Sequence, residues 1–97
     1  MTDRQILQLI GANVKAARLK AGITQECLAE LVGVHWQTIS YVENGKYPFS
    51  VVIFTRITHA LETSANRLLD GIDEPDEKRM GRIKKEMARK RQPKQSG

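Results

Sequence analysis

The chain has 97 residues, room for one ordinary domain and a short extension, with 40% hydrophobic residues, a formal charge of +5 and a pI near 9.7. No apolar run approaches the length of a membrane span, and the N-terminus, MTDRQILQLI, lacks the basic region and cleavage site of a secretory signal; a soluble, cytoplasmic protein with no membrane contact is expected. A single cysteine, Cys27, excludes an internal disulfide, and His35 and His59 lie too far apart in sequence to form a ligand motif, so neither a metal nor a cofactor is expected.

Residues 2–21 read as a first helix. Thr2 with Gln5 fits a capping box, Ile6, Ile10, Val14, Ala17 and Ala21 make one apolar stripe, and Gly22 supplies the stop. Gly11 weakens the helix locally. Arg18 falls beside the stripe, an unusual place for a charge.

Residues 24–45, TQECLAELVGVHWQTISYVENG, read as two short helices joined by a tight turn. Thr24 can cap the first, Leu28, Ala29 and Val32 mark its buried face, and Gly33 lets the backbone turn, if need be through a left-handed conformation. Val34 leads into the second, whose inward direction is set by Ile39 and Val42 and whose end is marked by Asn44 and Gly45. At about 100° per residue, Gln37, Ser40 and Tyr41 point away from the core while Trp36 and Glu43 sit on a flank. That outward face carries no charge. Solvated faces usually carry Glu and Lys, whereas Gln, Ser, Tyr and Trp are the short-range hydrogen-bonding and packing groups that read base edges.

Tyr47, Pro48 and Phe49 form a loop, and Ser50 is a suitable cap for a fourth helix whose inward face is Val51, Phe54, Ile57, Thr58 and Leu61. Val52 and Ile53 fall off that face; with Tyr47 and Phe49 they make either an exposed apolar patch for a protein partner or part of the core. Ser64 can cap a short fifth helix containing Leu68 and Leu69, closing at Asp70 and Gly71. Beyond a linker, with Pro75, Asp76 and Glu77 suited to a helix start, residues 75–91 carry Met80, Ile83 and Met87 at helical spacing among Lys and Arg. This is either a basic amphipathic helix that meets a partner or a solvated tail, and residues 92–97 are expected to be disordered. The charge divides unevenly. Residues 1–74 hold seven Lys/Arg against eight Asp/Glu, and residues 75–97 hold nine against three, so the basic excess belongs to the tail.

The run TQECLAELVGVHWQTISYVENGK, with ARLKAGI before it and SVVIFTRITHALETSANRLL after it, resembles the phage-repressor-type helix-turn-helix transcription regulators, often called the Xre family, over roughly residues 8–71. The resemblance implies an all-α fold: a compact five-helix DNA-binding domain over residues 1–71, followed by a linker and basic tail over residues 72–97. It also implies that Arg18 pairs with Glu43, against the alternative of a solvated Arg18. Gln25 and Asn44 would hold DNA phosphates, with Lys46 adding charge, against the alternative of ordinary helix-end polar residues. His35 stands where the family commonly has a capping Ser or Thr, which leaves that cap open; His35 either faces a phosphate or lies in solvent. Glu62 stands where many members have a helix-ending glycine, so a softer boundary is expected there.

Base reading is assigned to Trp36, Gln37, Ser40 and Tyr41. Gln37 leads, because its amide can both accept from adenine N6 and donate to N7, while Trp36 suits a thymine methyl or sugar edge. The expected function is a dimeric, sequence-specific repressor binding double-stranded DNA. The alternative is an antitoxin-type module that binds a protein partner through the basic tail and autoregulates its operon. An enzyme is not expected, since the chain has no phosphate-cradling glycine loop and no nucleophile paired recognisably with a histidine and an acid.

Overall fold

The computed structural model describes residues 1–72 and 77–90, the side chains of residues 77–81 excepted. These residues are all-α, in the order α1 (Asp3–Ala21), α2 (Gln25–Val32), α3 (Trp36–Glu43), α4 (Val51–Ala60), α5 (Ala65–Leu68) and α6 (Glu77–Lys90). α1 packs on α3 and α5, α2 on α3 and α4, and α4 on α5.

The start of each of the first five helices is set by a local cap. The Thr2 hydroxyl accepts the Gln5 backbone N–H at 3.1 Å, and the Gln5 side chain accepts the Thr2 N–H at 2.8 Å, which satisfies two otherwise orphaned donors of α1 reciprocally. Thr24, Ser50 and Ser64 each accept the N–H three residues on, at 3.0, 3.1 and 3.2 Å. The turn between α2 and α3 depends on Gly33, whose φ of 84° is costly for any residue with a Cβ.

The core is Ile10, Val14, Leu28, Ala29, Val32, Ile39, Val42, Ile57, Leu61 and Leu68, drawn from all five of the first helices and the residue after α4. Burying each larger aliphatic side chain contributes about 1.5–3 kcal/mol, and these residues fix how the short helices sit together. Asn13 adds a polar clasp. Both of its amide hydrogens go to the chain at the end of α5, at 2.9 Å to the carbonyls of Leu68 and Asp70.

One feature of α4 differs from the sequence reading. Val51, expected to face inward, is 78% exposed. The buried stripe runs through Ile53, Ile57 and Leu61 at intervals of four residues, which leaves Val51 about a third of a turn away from it. Of the two alternatives left open for Tyr47, Phe49, Val52 and Ile53, the core one holds for three of the four. Ile53, Tyr47 and Phe49 are half-buried against the core, with Phe49 stacked on Phe54 at 6.0 Å, and only Val52 of that group is exposed.

After α4, Glu62 takes a φ of 50°, alone among the described non-glycine residues in having a positive value. The chain therefore keeps the left-handed stop that a glycine would make easily, and holds it with a residue for which it is strained.

α6 is a helix whose side chains over residues 82–90 are exposed throughout, including Ile83 and Met87. Glu86 and Arg89 pair across one turn at 2.6 Å. The expected helix start at Pro75 and Asp76 and the expected disorder of residues 92–97 lie outside the described residues.

Candidate nucleic-acid interface

The position of α3 is set by its contact with α1. Gly11 is buried against the last turn of α3: a Cβ there would overlap the Val42 carbonyl oxygen and come within 2.7 Å of that of Glu43. Backbone meets backbone at this point, and no flexible side chain can give way. One and two turns further along α1, Val14 fills the core and Arg18 reaches across to Glu43.

The Arg18–Glu43 contact is bidentate, Nε donating to Oε2 at 2.6 Å and Nη2 to Oε1 at 3.0 Å, with both residues buried. Arg18 Nη1 also donates to the Ile23 carbonyl at 2.9 Å, and Gln25 Nε2 donates to Glu43 Oε1 at 3.0 Å. One charged pair thus ties α1, the α1–α2 connection, the start of α2 and the end of α3 together. The hydrogen bond to Glu43 outweighs burial and holds the Arg18 guanidinium above its ordinary pKa, so it stays cationic wherever the protein is handled. Among the described residues no buried side-chain polar atom lacks a partner.

With its inner side fixed, α3 presents a continuous outer face. Gln37 is exposed, Ser40 half-buried, Tyr41 47% exposed and Trp36 44% exposed. An apolar ring so open at a helix start is available for contact with something other than this chain. The start of α3 is capped by His35, whose Nδ1 accepts the Gln37 N–H at 3.3 Å; the imidazole substitutes, at a longer distance, for the hydroxyl expected there. The exposed His35 ring lies 6.0 Å from the Trp36 ring.

The residues expected at phosphates are in mixed situations. Lys46 is exposed, beyond the end of α3, on a loop braced by the edge-on contact of Tyr41 and Tyr47 at 6.1 Å. Gln25 has a structural role that the sequence does not announce, and Asn44 acts at the helix end where the sequence places it. Gln25 steadies Glu43, and the Asn44 amide donates back to the Ser40 carbonyl at 2.8 Å, closing the last turn of α3. Gly11 and Asn13 are positioning residues that sequence reasoning misses as well. The available signal is Gly11 itself, since a glycine inside a well-formed helix costs about 0.5–1 kcal/mol relative to alanine and needs a reason.

Two short helices across a glycine turn, the second clamped from behind and offering an uncharged polar-aromatic face, define a DNA-binding helix-turn-helix domain of the kind found in transcription regulators. The chain belongs to the helix-turn-helix family, whose model matches residues 14–68. It is 46% identical over 48 residues, 50% of this chain and 70% of the relative, to an uncharacterised HTH-type transcriptional regulator of Methanothermobacter thermautotrophicus. Among solved structures it is similar to the restriction-modification controller protein C.AhdI from Aeromonas hydrophila, at 29% identity and a TM-score of 0.62 over 64% of this chain and 94% of that one. It is also similar to the clp gene regulator ClgR from C. glutamicum, at 28% identity and a TM-score of 0.64 over 71% and 85% of the two chains.

Proposed function

We propose that this helix-turn-helix transcription regulator is a cytoplasmic, Xre-type repressor that binds duplex DNA as a homodimer and reads the major groove with α3. The observation that carries this reading is the division of α3 into a clamped inner side and an exposed, uncharged outer side formed by Trp36, Gln37, Ser40 and Tyr41. Gln37 offers a bidentate amide to adenine, Ser40 and Tyr41 follow one turn on, and Trp36 covers a thymine methyl or a sugar. Lys46 supplies charge to the backbone. His35, with Nδ1 engaged at the cap, leaves Nε2 to carry the proton of the neutral ring and donate to a phosphate oxygen. Gln25 keeps one amide hydrogen for the same purpose beside its bond to Glu43, whereas Asn44, which donates to the Ser40 carbonyl at 2.8 Å and to the Ser40 hydroxyl at 3.4 Å, turns the longer of these bonds to a phosphate. Val51 and Val52, the exposed pair that opens α4, are the apolar surface offered to the second copy.

Selection of bound sequences from random duplexes tests the reading. The expected result is a palindrome with half-sites one helical turn, about 34 Å, apart, bound by two chains in sedimentation. A non-repeated site held by a single chain contradicts it.

We assign residues 1–71 to DNA recognition and residues 72–97 to a basic extension, and here a second reading has support. The exposed cations of α6 suit DNA phosphates, but the exposed Ile83 and Met87 suit a protein partner, as in an antitoxin that autoregulates its operon. If α6 lies on DNA, a chain ending at residue 72 binds specific and random duplexes more weakly by similar factors. Its salt dependence is then shallower, by about 0.9 in slope for each phosphate that α6 neutralises in the full chain. Under the partner reading, the salt slope is unchanged and the shortened chain no longer associates with the partner.

A further inference from the structure

The first 72 residues hold seven cations, and the structure sorts them by what they face. Arg18 is taken up by Glu43. Arg56 approaches the Val32 carbonyl at the end of α2, with Nη1 at 3.5 Å. Lys20 and Arg67 line a hollow between α1 and α5, and Lys15 is exposed on α1. The remaining two, Arg4 and Lys46, line one hollow together, with Asn44, Gly45 and Tyr47 beside them. The two lie 42 positions apart in the sequence, so nothing in the charge pattern pairs them.

The geometry of α1 explains why they meet. Residues 4, 8, 11 and 18 lie on one stripe of a helix, and each turn of that stripe meets a later part of the α3 region. Arg18 holds Glu43, and Gly11 abuts the Val42 and Glu43 carbonyls. Gln8 lies against Gly45, whose added Cβ would fall 2.7 Å from the Gln8 Cα. The next turn outward carries Arg4, and it reaches the loop just beyond α3. Both Arg4 and Lys46 are exposed, and among the described residues neither is paired with a carboxylate. The Tyr41–Tyr47 contact ties the loop that carries Lys46 to the outer face of α3.

We propose that Arg4 and Lys46 form a cradle for a backbone phosphate of the bound duplex at the C-terminal end of α3, so that α1 supplies a DNA contact of its own. This rests on the DNA reading of α3 and adds to it. Arg4 brings a planar fork that engages two phosphate oxygens, and Lys46 brings a compact charge to the same hollow. A phosphate held there fixes the register of α3 in the groove without reading sequence.

The test is titration of the full chain against a selected duplex and a random one at several salt concentrations. Arg4→Gln is expected to weaken binding to both duplexes by the same factor and to lower the slope of log affinity against log salt by about 0.9. Raising the salt fourfold then costs the unaltered protein about 3.5-fold more affinity than the variant. Arg4→Lys retains most of the slope, and Arg67→Gln, in the hollow between α1 and α5, leaves it unchanged. An Arg4→Gln slope equal to that of the unaltered protein overturns this inference alone. Absence of salt-dependent duplex binding by the unaltered protein overturns the DNA reading and this inference with it.

Discussion

On its inner side, α3 has Ile39 and Val42 fully buried and Glu43 held by two donors from Arg18 and one from Gln25; on its outer side, Gln37, Tyr41 and Trp36 are exposed. The two sides belong to the same eight residues. An eight-residue helix is too short to be stable alone in water, so the inner side must supply its order. Apart from the contacts of Tyr41 with Tyr47 and of Ser40 with Asn44, the outer side is thereby released from structural duty and can be chosen for recognition. The difference gives a rule for substitutions: inner-side changes act through folding, and outer-side changes act through the ligand.

The largest effect is expected at the Arg18–Glu43 pair. Arg18→Ala or Glu43→Ala strands a buried charge and is expected to cost about 3–5 kcal/mol, a large part of the total for a domain of this size. Replacing both with leucine should recover much of that loss, since no unpaired charge is left behind. Thermal melts of the two singles and the double decide it; small additive losses would mean that the inner side is not clamped as described.

A smaller loss is expected at Gly11. Gly11→Ala places a methyl group against the Val42 and Glu43 carbonyls and should destabilise by about 1–3 kcal/mol, despite the better helix propensity of alanine. The effect should extend to DNA affinity, because α1 and the end of α3 must separate. A melt equal to or above that of the unaltered protein would break the claim of backbone contact.

The smallest effect has the opposite sign. Glu62→Gly relieves a left-handed conformation at the end of α4, far from the outer face of α3 in the chain, and should raise stability by up to about 1 kcal/mol after the added freedom of the unfolded chain is counted. For a domain of this size that is roughly 4–8 °C in melting temperature. DNA affinity should not change, and a change in sequence preference would show that the two regions are not independent.

How much of this is legible in the sequence depends on whether the cause is local. The caps at Thr2, Thr24, Ser50 and Ser64 and the stop at Gly33 involve neighbours within four residues, and residue type alone marks them. The outer face of α3 follows from its helical period. Long-range relations are harder. The pairing of Arg18 with Glu43 comes from family resemblance and not from spacing, and the closeness of Gly11 to the end of α3 is invisible until the helices are packed. Val51 is misplaced by the sequence pattern because α4 can be read with apolar steps of three or of four, and only the neighbouring helices select the Ile53, Ile57 and Leu61 row. His35 is ambiguous in sequence because imidazole is an uncommon cap; the structure uses it as one. Gln25 reads as a phosphate contact or an ordinary helix-end residue because its internal acceptor, Glu43, becomes a neighbour only through folding, whereas the bond of Asn44 to the Ser40 carbonyl is local and fits its reading as a helix end.

If the outer face of α3 reads sequence, as proposed, Gln37 is where that reading is most directly tested. Sequence selection from random duplexes should be run in parallel with the unaltered protein and Gln37→Ala, after melts have shown equal stability. The variant is expected to lose its preference at one position in each half-site, an adenine contacted by the Gln37 amide, while the remaining positions and the half-site spacing stay the same. An identical preferred sequence from both proteins would contradict it.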